Sequence, residues 1–233
     1  MAELFNEEII SQATHTKWAG KTVHFAREID STNLWGKRAW KEEGAGHGEL
    51  FVAEYQSAGR GRFTRRWSAP PDSAITMSIL LCPEFSPQKA PMMTLVMGLS
   101  VAQAVADLGL DVGIKWPNDV VVSRKKICGI LTEMSVESES GYIQYLIIGI
   151  GINVNGQAED FPAEIRSTAT SLAMETGKTH SRAALAAALI RELDSMCRAW
   201  PKEKTEYLEA YRRDNITTGK EITVVRGTEE APA

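Results

Sequence analysis

The chain has 233 residues, 43% of them apolar, and a net charge of −4 from 26 Lys and Arg against 30 Asp and Glu. That is enough for one sizeable core with little left for a second full domain, and the acidic balance argues against a general nucleic-acid binder, which carries a domain-wide excess of cations. Its three cysteines, Cys82, Cys128 and Cys197, are widely spaced and form no C-x-x-C pair, so neither a disulfide framework nor a zinc site is expected and a reducing cytoplasm fits.

The first predicted element is a short helix over residues 4–13. Residues 1–10 carry three glutamates and no basic segment, which excludes a secretory signal, and no apolar run approaches the roughly 18 residues of a membrane-spanning helix. What precedes position 23 is too short for a helix-turn-helix module. Ser31 or Asp30 caps a helix running to Glu43, with Gly44 at its C-terminal end, so that Thr32 and Asn33 sit in the first turn. Strands follow over 50–55 and 74–81, separated by an arginine-rich loop that Pro70-Pro71 closes. Pro91 opens an apolar helix through Leu95, Leu99, Ala102 and Val105 that stops before Gly109 and packs on the sheet.

Residues 112–116, 120–123, 127–133 and 142–154 read as strands joined by short polar connections, hence antiparallel hairpins. Ser181 caps a helix over 182–200 with Leu185, Leu189, Leu193 and Met196 on one stripe. A single strand over 220–225 has no partner in view, and residues 226–233 are polar and frayed. The pattern predicts an α+β fold with a mixed, largely antiparallel sheet and helices on one face, not a doubly wound nucleotide fold.

Several short segments carry chemistry. Gly59-Arg60-Gly61-Arg62, followed by Arg65-Arg66-Trp67, joins a permissive backbone to four guanidinium groups and an indole within nine residues. It suits a loop closing on a phosphate or carboxylate with Trp67 stacked on a base, although a solvated basic turn and a nucleic-acid loop share its composition. Lys125-Lys126 and Asn118-Asp119 each read locally as turn residues. Gly149 and Gly151 signal either a close backbone approach to a ligand or a β-bulge. The four histidines, His15, His24, His47 and His180, are scattered and suggest no metal site.

Taken in order, Asp30-Ser31-Thr32-Asn33, the arginine loop, Lys115-Trp116-Pro117-Asn118-Asp119, Lys125-Lys126-Ile127-Cys128-Gly129 and Gly149-Ile150-Gly151-Ile152-Asn153 resemble the biotin protein ligase family over residues 23–213. The resemblance implies a biotin/lipoate ligase-like catalytic core, related to class II aminoacyl-tRNA synthetases, over residues 1–215. Residues 216–233 would begin a small C-terminal β-barrel, apparently truncated. The implied activity uses ATP and Mg²⁺ to convert biotin to biotinyl-5'-adenylate, then transfers biotin to a lysine of a biotin carboxyl carrier protein.

On that resemblance Lys126 contacts the biotin carboxylate and α-phosphate together, Asp119 serves the acceptor lysine, and Arg62 joins them at the reacting centre. The biotin site would comprise Ser31, Thr32, Asn33, Gln56, Gly59, Arg60, Gly61, Arg62, Lys126, Gly129, Gly149 and Gly151. The ATP site would comprise Arg60, Arg62, Trp67, Lys115, Asn118, Lys126 and Asn153. No dedicated metal ligands, nucleic-acid partner or membrane are implied, and a homodimer is compatible. Thr64 stands where the family's loop usually has glycine, which stiffens the loop. Attachment of lipoate or octanoate on the same fold, and a non-catalytic biotin sensor, are the alternative functions.

Overall fold

The computed structural model of the protein describes residue 10, residues 15–226 and residues 229–231. The helix expected over residues 4–13 lies outside them apart from Ile10, which is buried in the core. Seven strands, β1 (Val23–Ile29), β2 (Leu50–Gln56), β3 (Ala74–Leu81), β4 (Val112–Lys115), β5 (Asp119–Val122), β6 (Lys125–Val136) and β7 (Ile143–Asn153), form one sheet in the order β1-β2-β3-β7-β6-β5-β4. Only β1 and β2 run parallel; the other neighbours are antiparallel. This is the mixed, largely antiparallel α+β architecture expected from the sequence, with β1 as an unanticipated edge strand.

The helices are α1 (Thr32–Arg38), α2 (Ala90–Ala106), α3 (Leu172–Thr176) and α4 (Arg182–Asp214). They do not share one face of the sheet. Because side chains alternate along a strand, Leu50, Val52, Ile148 and Ile150 point into the main core with α2 and α4, whereas Phe51, Leu80 and Ile147 point the other way and meet Trp35 and Ala39. α1 therefore covers the opposite face, over β2, β3 and β7, and continues as a π-helical turn, Ala39–Glu43, that stops at Gly44 with φ of 75°. Over β4 to β6 that second face has no helix among the described residues.

Further expectations need correction. The segment Pro87–Ala106 is long and apolar enough to cross a membrane by length and composition, but most of it is buried, as a core helix must be. α4 runs on to Asp214 and so extends well beyond the 182–200 expected from the sequence. The expected partnerless strand is shorter than 220–225 and is paired: β8 (Val224–Arg226) lies antiparallel to β9 (Glu229–Ala231). Ser31 occupies the N-cap of α1, but its side chain makes no capping bond. The Thr32 N-H donates instead to Gln56 Oε1 at 2.7 Å.

A buried arginine ties α4 to β2 and to the loop before β3. Arg182, 1% exposed, donates to Glu54 on β2 and to Asp72 Oδ1 at 2.9 Å. Removing one partner of a buried pair costs far more than an exposed pair is worth, so Glu54→Leu is expected to lower stability by about 3 kcal/mol, read from urea midpoints. A shift below about 0.5 kcal/mol would show that Glu54 contributes only as an exposed ion pair does.

Asp194 is 3% exposed, and its Oδ1 accepts the N-H groups of Lys17 and Trp18 at 2.9 Å and of Ala19 at 3.3 Å. Burial pushes its carboxyl up, yet those donors and Arg198 outweigh burial and hold it below the ordinary value of 3.8. A carboxyl lowered by folding stabilises the fold above its unfolded pKa and loses that contribution as pH falls through the folded value. The unaltered protein should therefore lose stability as pH drops below about 4. Asp194→Asn should be weaker at pH 7 and flatter across that acid range; parallel profiles would remove Asp194 from the account.

Candidate active site

On the face that carries α1, the stretch of β5, β6 and β7 beside that helix floors a cavity of about 470 Å³. In register, Gly129 of β6 lies opposite Gly151 of β7, and Leu131 opposite Gly149. Gly129, Gly149 and Gly151 therefore share this face and leave bare backbone as the floor. No bulge accompanies Gly149 or Gly151, and the groups that approach them closely are the Asn33 and Trp67 side chains. A β-carbon at Gly149 would overlap the Asn33 side-chain oxygen, one at Gly151 would overlap the Trp67 indole, and one at Gly129 would come 3.0 Å from Lys126 Nζ.

One end of the floor is polar. Thr32, Asn33 and Ser31 from the start of α1 meet Gln56 from the end of β2, brought together because β2 hydrogen-bonds beside β1 just before α1 begins. Thr32 Oγ1 lies 3.1 Å from Gln56 Oε1 and 2.7 Å from Ser78 Oγ, and Ser78 Oγ lies 2.6 Å from Asn33 Oδ1. Ser78 is fully buried. It was not anticipated, although a serine inside the apolar run A-I-T-M-S-I-L-L signals a buried polar partner.

The other end is charged. Lys126 Nζ lies 2.7 Å from Asp119 Oδ1, an ion pair outside hydrogen-bond geometry. A bulge puts Lys126 there. Val120 pairs with Cys128 but Val121 with Lys126, so Ile127 is an extra residue, and both Ile127 and Cys128 are buried in the main core. Without it the alternation would aim Lys126 at that core. Its backbone is clamped from outside the sheet, with Lys126 N-H donating to Thr168 O at 2.7 Å and Thr170 N-H to Lys126 O at 3.0 Å. Burial pushes the neighbouring Cys128 thiol far up, which makes it inert.

The arginine loop roofs the cavity as a small hairpin. Trp67 N-H donates to Gly59 O at 3.0 Å and Gly61 N-H to Arg65 O at 2.8 Å. Gly59 does not line the cavity: a side chain there would run into the Trp67 carbonyl, so its part is to let the hairpin close. Phe63 and Thr64 turn the tip at φ of 52° and 63°, a left-handed region costing a β-branched residue about 1–2 kcal/mol. Arg62 Nη1 donates to Asn118 Oδ1 at 2.8 Å, and Arg60 Nη1 lies 3.1 Å from Glu133. The Trp67 ring lies on the glycine floor, with its N-H buried and meeting no acceptor among the described residues.

Of the remaining predicted residues, Lys115, Asn118 and Asn153 all line the cavity, and Asn153 Nδ2 donates to Thr170 O at 3.1 Å. The structure thus brings every predicted site residue except Gly59 to one cavity, and adds Arg65, Arg66, Arg124 and the segment containing Phe161 and Ile165. Among the described residues no group of three His, Cys, Asp or Glu side chains comes together. The arrangement can hold an elongated ligand with a hydrogen-bonding head and an anionic tail.

If the Trp67 ring on Gly151 holds the hairpin down, Gly151→Ala should expel it and raise tryptic cleavage at Arg62, Arg65 or Arg66, about tenfold for each 1.4 kcal/mol lost from closure. An unchanged cleavage rate in a folded variant would place the restraint elsewhere.

The model of the biotin/lipoate A/B protein ligase family matches residues 25–153, more than half of the chain. The bifunctional ligase/repressor BirA of Bacillus spizizenii is 45% identical over 140 residues, which cover 60% of this chain and 42% of that protein. The chain thus spans less than half the length of this curated relative. Biotin protein ligase from Aquifex aeolicus in complex with biotin and ATP superposes with a TM-score of 0.75 at 31% identity, covering 91% of this chain and 85% of that one. Biotin protein ligase from Leishmania major in complex with biotinyl-5-AMP gives 0.69 at 27% identity, covering 89% and 87%. On sequence and on fold alike, the chain belongs to the biotin/lipoate A/B protein ligase family.

Proposed function

We propose that this chain activates biotin with ATP and transfers it to a lysine of a carrier protein, the biotin carboxyl carrier protein being the expected acceptor. The observation that carries the reading is the bare glycine floor, which joins the amide and hydroxyl set around Asn33 and Gln56 to the Lys126–Asp119 pair. Relatives with solved complexes bind biotin with ATP, and biotinyl-5-AMP. ATP enters as its magnesium complex, the ion riding on the phosphates, since Mg²⁺ is usually held through few protein ligands.

In the first step a biotin carboxylate oxygen attacks the α-phosphorus. The bond to the bridging oxygen breaks, and pyrophosphate leaves with the electron pair. Two anions must meet, so Lys126 is set between them as a compact point charge and exchanges Asp119 for the substrate carboxylate. Arg62 and Lys115 neutralise charge on the phosphates. In the second step the acceptor amine attacks the acyl carbon, the C–O bond breaks, and AMP leaves with its pair; Asp119, released from Lys126, takes the ammonium proton. The four arginines of the hairpin and Trp67 close over the intermediate and keep water from it.

Mass spectrometry of a biotin carrier domain incubated with the chain, ATP, Mg²⁺ and either biotin or lipoate tests the function: biotin should be attached and lipoate should not. Lys126→Ala should lower pyrophosphate release by about 10²–10³-fold, the loss expected for one preorganised charge in a water-poor site. Near-normal release from a folded variant would remove Lys126 from the reacting centre.

A further inference from the structure

Glu133, on β6, lies behind the polar end of the cavity and does not line it. Its Oε1 receives Lys37 Nζ at 2.7 Å and Arg60 Nη1 at 3.1 Å, and its Oε2 receives Asn33 Nδ2 at 2.9 Å. Burial pushes this carboxyl up, but the hydrogen bonds from Lys37 and Asn33 and the charges of Lys37 and Arg60 bring it below the ordinary carboxylate range. At neutral pH Glu133 is therefore ionised and can only accept hydrogen bonds.

That fixes which way the Asn33 amide points. Both ends of an asparagine side chain have the same shape, so its orientation is set by its neighbours. Here the NH₂ end is spent on Glu133 and, at 3.2 Å, on the Leu131 carbonyl, and the oxygen takes the Ser78 hydroxyl at 2.6 Å. The Leu131 contact is longer and neutral; the charge-assisted bond to Glu133 is the stronger constraint. Turning the amide over would set its oxygen against a carboxylate. Gln56 spends its oxygen on the Thr32 N-H at 2.7 Å. Asn33 thus offers the cavity an acceptor and Gln56 a donor.

We propose that Glu133 is a positioning residue that selects a cyclic urea, by locking Asn33 with its oxygen toward the cavity so that it accepts a ring N-H of the ligand. The inference rests on the function proposed above. It reaches beyond packing because it concerns the sense of a hydrogen bond: a ligand with an acceptor in place of that N-H would meet oxygen against oxygen. A site built to hydrogen-bond an N-H rejects a ligand without it strongly, since its own polar group is then left unpaired. Glu133 also pairs with Arg60 of the hairpin, so the same carboxylate joins the polar head of the cavity to its roof.

The test compares biotin with its two cyclic carbamate analogues, in which one or the other ring N-H is replaced by oxygen, by calorimetric titration of the full chain. The unaltered protein should bind at least one carbamate 10²-fold or more weaker than biotin. Glu133→Gln, which can donate as well as accept, frees Asn33 to turn over, and that ratio should shrink about tenfold or more. A merely structural loss would weaken biotin and carbamate alike, and an unchanged ratio would overturn the proposal. Should the variant not fold, hydrogen exchange of the Asn33 side-chain amide in the unaltered protein decides: strong protection supports the lock, and exchange at the rate of free asparagine overturns it. If the unaltered chain binds no biotin, the function proposed above fails, and the inference with it.

Discussion

Side chains alternate strictly between the two faces of a strand, so one inserted residue reverses every side chain beyond it. The charged end of the site depends on such an insertion. Ile127 has no counterpart on β5, and because of it Lys126 emerges on the open face beside Asp119 and Gly129 while Ile127 and Cys128 fill the core behind. The bulge is held in turn by the backbone clamp from Thr168 and Thr170, which gives Lys126 a second set of hydrogen bonds outside the sheet.

The charges around the cavity follow from that placement. A lysine on a partly enclosed face needs a counterion, and Asp119 supplies it. The hairpin sets four guanidinium groups at the mouth of the cavity, so the site is locally cationic on a chain whose overall balance is −4. Glu133 and Asn118 receive two of those arginines and hold the roof in register with the floor.

Much of the fold was legible because hydrophobic periodicity is a local signal. The run A-I-T-M-S-I-L-L is buried at all eight positions and reads as a central strand from its sequence alone. β1 was not legible: V-H-F-A-R-E-I is an edge strand with two exposed charged residues, and its parallel pairing with β2 is a long-range fact. The end of α4 misled in the opposite sense: the apolar stripe read from the sequence stops at Met196, but the helix runs on to Asp214 with Tyr207 and Tyr211 against the core. In the site, the arginine hairpin, Lys126 and the glycines stood out by composition and by order along the chain. Glu133 and Ser78 did not, because a glutamate or serine within a strand looks like an ordinary face residue until the partners brought by α1 are known. Placing helices on one face failed for a similar reason, since nothing local says which side of the sheet α1 will choose.

The three glycines of the floor also constrain how such a protein can diverge. A pocket walled by large side chains can be widened one methylene at a time, but a floor of backbone has nothing left to trim, and any addition at Gly149 or Gly151 collides with Asn33 or Trp67. New ligand preferences must therefore arise in the walls and roof. The distance between the polar end and the charged end is set by strand spacing, so that span is inherited with the sheet, whereas the polar end is open to revision through the few side chains that surround Asn33.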